Sequence, residues 1–167
     1  MGGRDADGLE GMIEQLDELV GKAVARAFET MLDSPVTPEP PTSDVTWNGD
    51  PHIAGSVGFI GRLTGVIYIY TSVRFAREIT GRLLGISDAD IDGEEMVNDA
   101  VGELTNMVVG QIKSHLSDHG MPCVLTIPSI VRGSHFIIES VSSTTRRVGA
   151  FRCRDQRLVV ETLIKPS

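Results

Sequence analysis

The chain has 167 residues, 41% of them hydrophobic, and a formal net charge of −8 from 15 Lys and Arg against 23 Asp and Glu. One globular domain with a sizeable core fits this length and composition, and global disorder does not. Apolar runs such as 65–70 and 121–131 break before the ~18 residues a membrane-spanning helix needs, and no basic footprint for nucleic acid is present.

The acid is unevenly spread: residues 1–44 hold ten Asp and Glu against three Lys and Arg, and residues 45–167 hold thirteen against twelve. The opening MGGRDADGLE carries acids where a secretory signal carries bases and then an apolar core, so a cytoplasmic protein is expected. Cys123 and Cys153 both lie in apolar segments and read as reduced core thiols.

Residues 1–8 are expected to be a flexible N-terminus ahead of a single domain, 9–167. Apolar residues at Leu9, Met12, Ile13, Leu16, Leu19, Val20, Ala23, Val24, Ala27 and Met31 recur at helical spacing, predicting a long amphipathic helix over 9–32. Four prolines in 33–44 each lack a backbone donor and fix φ, so an extended connection follows. Two β-rich runs, 53–60 and 64–70, joined by Gly61-Arg62-Leu63, read as a hairpin. Thr71 or Ser72 can then cap a helix whose face is Val73, Ala76, Ile79 and Leu83, with Gly85 at its left-handed end.

The acids of 87–93 lack the spacing and closing Glu of a calcium loop. Asp92, Glu94 and Glu95 suit the positive start of another helix, over 94–116. His115 and His119 have a zinc-like spacing but no Glu after His115 and no further ligands in sight, so no metal site is expected on this chain. His119 beside Gly120 fits a helix C-terminus, and His52 and His135 read as ordinary strand or turn residues. Beyond Gly120 four strands are expected, over 123–131, 136–141, 147–151 and 158–164. The fold class is therefore α+β: a largely antiparallel sheet packed against long helices.

The helix over 94–116 carries the chemistry. Counted at about 100° per residue from Asp99, Val97, Ala100, Val101, Leu104, Met107, Val108, Gln111, Ile112 and His115 fill an arc of about 80–220°, the predicted core side. Asp99, Glu103, Asn106 and Gly110 gather within about 40° of zero, with Gly102, Val109 and Lys113 on the flank. A wet face explains polar residues, but not glycines that each cost about 1 kcal/mol in an exposed helix interior, nor a mid-helix Asn. Gly102 and Gly110 are expected to let another protein's backbone approach, and Glu103 and Asn106 stand one turn apart.

The run Asp99-Ala-Val-Gly-Glu103-Leu-Thr-Asn106-Met-Val-Val-Gly110, followed twenty-two positions after the Asn by Pro128, resembles the active-site signature of the CheC, CheX and FliY chemotaxis phosphatases. The wider likeness is to CheX, through IAGSVGFIGRLTGVIYIYTS, AREITGRLLG, the motif helix and the later strands. The N-terminal helix offers no second Glu-x-x-Asn, so the resemblance implies one site per chain.

It also implies a substrate: the phospho-aspartate of a CheY-like response regulator, a mixed anhydride already prone to hydrolysis. Asn106, donor and acceptor without charge, is then expected to orient the attacking water. Glu103 is expected to meet a cation on the regulator, its active-site lysine by resemblance. Asp99 is expected to orient locally and Pro128 to stiffen the strand end beside the site, and Mg²⁺ is expected in the partner regulator with no cofactor here. The likeness to CheX implies a homodimer paired through its sheet. Two alternatives are a non-catalytic binding module for a regulator or flagellar switch component, and a small-ligand sensor with a closed apolar pocket.

Overall fold

The apolar spacing of residues 9–32 is realised in α1 (Gly3–Leu32), the first element of a computed structural model that describes residues 3–40, 47, 49–136, 138–139 and 144–166. The helix starts six residues before the first periodic position. Its core stripe, including Leu16, Val24, Ala27 and Phe28, is buried, as the 3.6-residue period requires. The proline-rich connection follows and contains a two-residue strand, β1 (Thr37–Pro38), on the sheet edge, where a residue without an N–H is tolerated.

The hairpin is β2 (His52–Gly61) and β3 (Leu63–Ser72), antiparallel from His52 opposite Ser72 to Phe59 opposite Gly65. Then comes α2 (Val73–Leu84). The Ser72 hydroxyl accepts from the Phe75 N–H at 3.0 Å, and Gly85 closes the helix at φ 66°, so both expected caps are formed. A single 3₁₀ turn (Asp88–Asp90) leads into α3 (Gly93–Asp118).

The run expected as one strand over 123–131 is two, β4 (Cys123–Leu125) and β5 (Ser129–Gly133), both paired with β2. Phe59 faces Leu125 and Ser56 faces Ser129, so Val57 and Gly58 oppose three residues, Thr126, Ile127 and Pro128. That is a bulge, and Pro128 explains its place because it cannot donate to the ladder. Of the strand expected over 136–141, Phe136, Ile138 and Glu139 are not in a strand, and 137 and 140–141 lie outside the described residues. Strands β6 (Thr145–Cys153) and β7 (Gln156–Pro166) form a second hairpin through Arg154, at φ 60°, and Asp155.

The seven strands form one antiparallel sheet in the order β1-β6-β7-β3-β2-β4, with β5 also on β2. All three helices pack on one face, over Val57, Phe59, Ile67, Ile69, Leu158, Val160 and Ile164. Each such fully buried side chain contributes about 1.5–3 kcal/mol relative to exposure. On the other face Ala54, Tyr70 and Val159 form a smaller cluster under Trp47 and Phe136. No helix among the described residues is long and apolar enough to cross a membrane.

Candidate active site

Helix α3 is held from three sides, by α1, α2 and β2, and its buried residues are Val97, Ala100, Val101, Gly102, Leu104, Thr105, Val108, Val109, Ile112 and Leu116. On the same wheel they span about 100–300°, an arc turned some 50° beyond the expected one. Met107, Gln111 and His115 are only half-buried. Thr105 and Val109 are buried instead, because the helix presses close on the sheet. Gly55 of β2 permits this: a Cβ there would run into Thr105 Oγ1, which donates to the Val101 carbonyl at 2.7 Å.

What remains exposed is narrow. Asp99, Glu103, Asn106 and Lys113 are exposed, and Gly110 is half-buried with open space where its side chain would be. No hydrogen bond or ion pair joins Asp99, Glu103 or Asn106 to another described residue. Glu103 and Asn106 thus stand one turn apart, about 5–6 Å between Cβ atoms, outward and uncovered by described residues. The expected local orienting contact of Asp99 is not seen among the described residues.

Gly102 corrects the sequence reading. It is buried, not presented to a partner, and a Cβ built on it would lie 3.5 Å from Pro128 Cβ. That is ordinary contact distance, which an alanine would also make; the chain's own bulge packs against the helix here and brings Pro128 beside the turn that carries Glu103 and Asn106. The bulge is fixed by two bonds: Thr126 N–H donates to the Gly58 carbonyl at 2.9 Å, and Gly58 N–H donates to Thr126 Oγ1 at 2.8 Å. Gly110 lies on the stripe with nothing within 4 Å of where its side chain would be.

Residue spacing missed Arg132. From β5 its Nε donates to Asn98 Oδ1 at 2.5 Å and its Nη2 to the Glu94 carbonyl at 3.3 Å, fastening the first turns of α3 to the sheet. Only the fold brings residues 34 positions apart together, so no local pattern announces the pair.

Among the described residues no three His, Cys, Asp or Glu side chains converge to hold a metal ion. The rings of His115 and His119 stack at 4.2 Å, and His119 Nδ1 lies 2.8 Å from the His115 carbonyl, at the helix end. His52 is buried between Trp47 and Phe136, its Nδ1 3.1 Å from the Asp50 carbonyl. Burial pushes both cysteine thiols above their ordinary value of 9.0, so neither is poised as a nucleophile. An apolar cleft of about 200 Å³ between α1 and β6 is smaller than the roughly 300–1,000 Å³ of a typical ligand site. A wider one at the start of α2 mixes Trp47, Pro51 and Val73 with charged residues, of which Arg77 is paired to Asp88.

The arrangement offers an uncharged amide and a carboxylate, side by side on a buttressed rod, to something that can reach a flat face. Residues 53–152 match the family model described as chemotaxis phosphatase CheX. Among solved structures, the chemotaxis protein CheX of Desulfovibrio desulfuricans is 24% identical at a TM-score of 0.76, covering 90% of this chain and 99% of that one. A CheC-like superfamily protein from Shewanella sp. PV-4 is 26% identical at 0.76, covering 89% and 96%. A CheX–CheY–BeF₃–Mg²⁺ complex from Borrelia burgdorferi holds a chain 20% identical at 0.72, covering 89% and 96%. No curated protein sequence matches the chain.

Proposed function

The chain belongs to the CheX family of chemotaxis phosphatases, and from that membership we propose that it dephosphorylates a CheY-like response regulator by laying the exposed stripe of α3 over the regulator's phospho-aspartate. The observation that carries this is Asn106, exposed and free of hydrogen-bonded partners among the described residues, one turn from an equally free Glu103. The solved complex of a related CheX with CheY supports the choice of partner.

An acyl phosphate asks little covalent chemistry of its catalyst. Water oxygen forms the new bond to phosphorus, the bond to the aspartyl oxygen breaks, and that oxygen leaves as carboxylate with its electron pair. The water proton passes to the phosphate product and solvent. The contribution left for the phosphatase is geometric: the Asn106 amide oxygen accepts from the water and holds it in line, removing part of the entropic barrier. An amide does this without the negative charge that phosphoryl oxygens would repel.

Glu103 meets a cation on the regulator, its active-site lysine, and so fixes register. Mg²⁺ belongs to the regulator and neutralises phosphoryl charge there. Asp99, Gly110 and Pro128 shape and support the face. The reading includes a cytoplasmic protein that pairs with a second copy through its sheet, where Ile60, Val124 and Val131 expose 57%, 69% and 39% of their surface. Sedimentation as a monomer at micromolar concentration contradicts the pairing alone. The activity is tested by phosphate release from a panel of the host's receiver domains: acceleration is expected for at least one, and EDTA stops it by removing the receiver's metal.

A further inference from the structure

We propose that Ile127 is an apolar anchor for the phosphorylated regulator, setting affinity where Asn106 sets rate; this deepens the reading above and rests on it. The residue follows from the bulge. With two residues of β2 opposing three, the extra length of chain is thrown outward, and Ile127 exposes 86% of its surface. Its neighbour Pro128 lies against Gly102, directly before Glu103 and one turn before Asn106. Consecutive Cα atoms are about 3.8 Å apart, so the isoleucine stands at the rim of the site.

Several physical points favour this role. The exposed stripe of α3 is polar, and a solvent-exposed ion pair such as one made by Glu103 adds little affinity, so a docked complex needs apolar contact near the site. Of the large exposed hydrophobics described, Ile60, Val124 and Val131 lie on the sheet face opposite the helices and Leu84 ends α2, which leaves Ile127 at the stripe. The tip is also pre-organised: the paired bonds between Thr126 and Gly58 hold one side and the seat of Pro128 on α3 the other, so little order remains to be imposed on binding. An exposed isoleucine that is covered on docking contributes through the apolar area it removes from water. Its occupant is the phosphorylated receiver, on the face that bears the phospho-aspartate.

The test uses the full-length chain, Ile127→Ala and the conservative Ile127→Val, with the receiver that the wild type dephosphorylates and with the beryllofluoride–Mg²⁺ form of that receiver for binding. Ile127→Ala is expected to raise KM and Kd together by about tenfold while kcat stays within about twofold, and Ile127→Val to recover most of the loss. KM and Kd unchanged in Ile127→Ala, or a fall in kcat alone, overturns the proposal and leaves the phosphatase reading standing. A shift of Ile127→Ala from dimer to monomer in sedimentation places the residue between copies and also overturns it. A wild-type chain inert toward every receiver overturns the phosphatase reading, and the anchor with it.

Discussion

Pro128 rests on Gly102: its Cβ lies 3.5 Å from where a side chain on that glycine would begin. This contact joins the signature proline to the motif helix, across twenty-six positions of sequence. The bulge packs beside the helix turn carrying Glu103 and Asn106, at a distance that a small side chain at 102 would also accept. Asp99, Glu103 and Asn106 do not touch Pro128 through any bond described; on the proposed reading the proline acts on the site by holding its helix.

The glycines make opposite predictions. Gly55→Ala puts a methyl into Thr105 Oγ1 and is expected to destabilise the fold by about 1–3 kcal/mol. Gly110→Ala meets open space and gains helix propensity, so it is expected to stabilise by up to about 1 kcal/mol. Urea unfolding of the two variants checks both signs. On the proposed docking a regulator approaches closely at Gly110, so the more stable variant is expected to be the slower phosphatase.

Glu103→Gln keeps shape and removes charge. The side chain is exposed and has no ion-pair partner among the described residues, so stability is expected to stay within about 0.5 kcal/mol. The KM for phosphorylated receiver is expected to rise several-fold, and its dependence on salt to weaken. Steady-state phosphate release at low and high ionic strength reads both, and an unchanged salt profile contradicts a cation partner for Glu103.

Stability is expected to fall as pH rises above about 9. Burial, with the Glu161 carboxylate second, pushes the Tyr68 and Tyr70 phenols above their ordinary 10.0, and burial raises the Cys123 and Cys153 thiols above 9.0. Tyr70 also donates to Glu161 at 3.0 Å, which favours its protonated form. Between the unfolded and folded values the native state holds protons that the unfolded chain has lost, so the stability these groups provide is complete below their ordinary values and is lost as pH climbs through the folded ones. Urea midpoints at pH 7, 9 and 10 check the trend; a midpoint that rises across this range contradicts it.

Much of this was legible in the sequence because it is local. The caps Ser72 and Gly85, the hairpin around Arg62 and the exposed triplet Asp99, Glu103 and Asn106 follow from turn chemistry and helical period alone. The helix wheel erred where tertiary contact decides: Gly55 lets α3 press close, which buries Thr105 and Val109 and turns the core arc. Pro128 interrupts a largely apolar run over 123–131, and in the sheet the run divides there into two strands. Gly102 reads from sequence as an opening for a partner, since no local rule tells a buried glycine from an exposed one. Arg132 on Asn98 has no signal short of the fold.

The most direct test of the central claim is the rate of phosphate release from a phosphorylated receiver with wild-type chain and with Asn106→Ala, at saturating receiver. The side chain is exposed and carries no fold contact among those described, so the variant is expected to fold and to bind the beryllofluoride–Mg²⁺ receiver within a few-fold of wild type, yet to lose about 100-fold or more of the acceleration once the water is no longer held. Release by Asn106→Ala at the wild-type rate would contradict the assignment of the amide to that water.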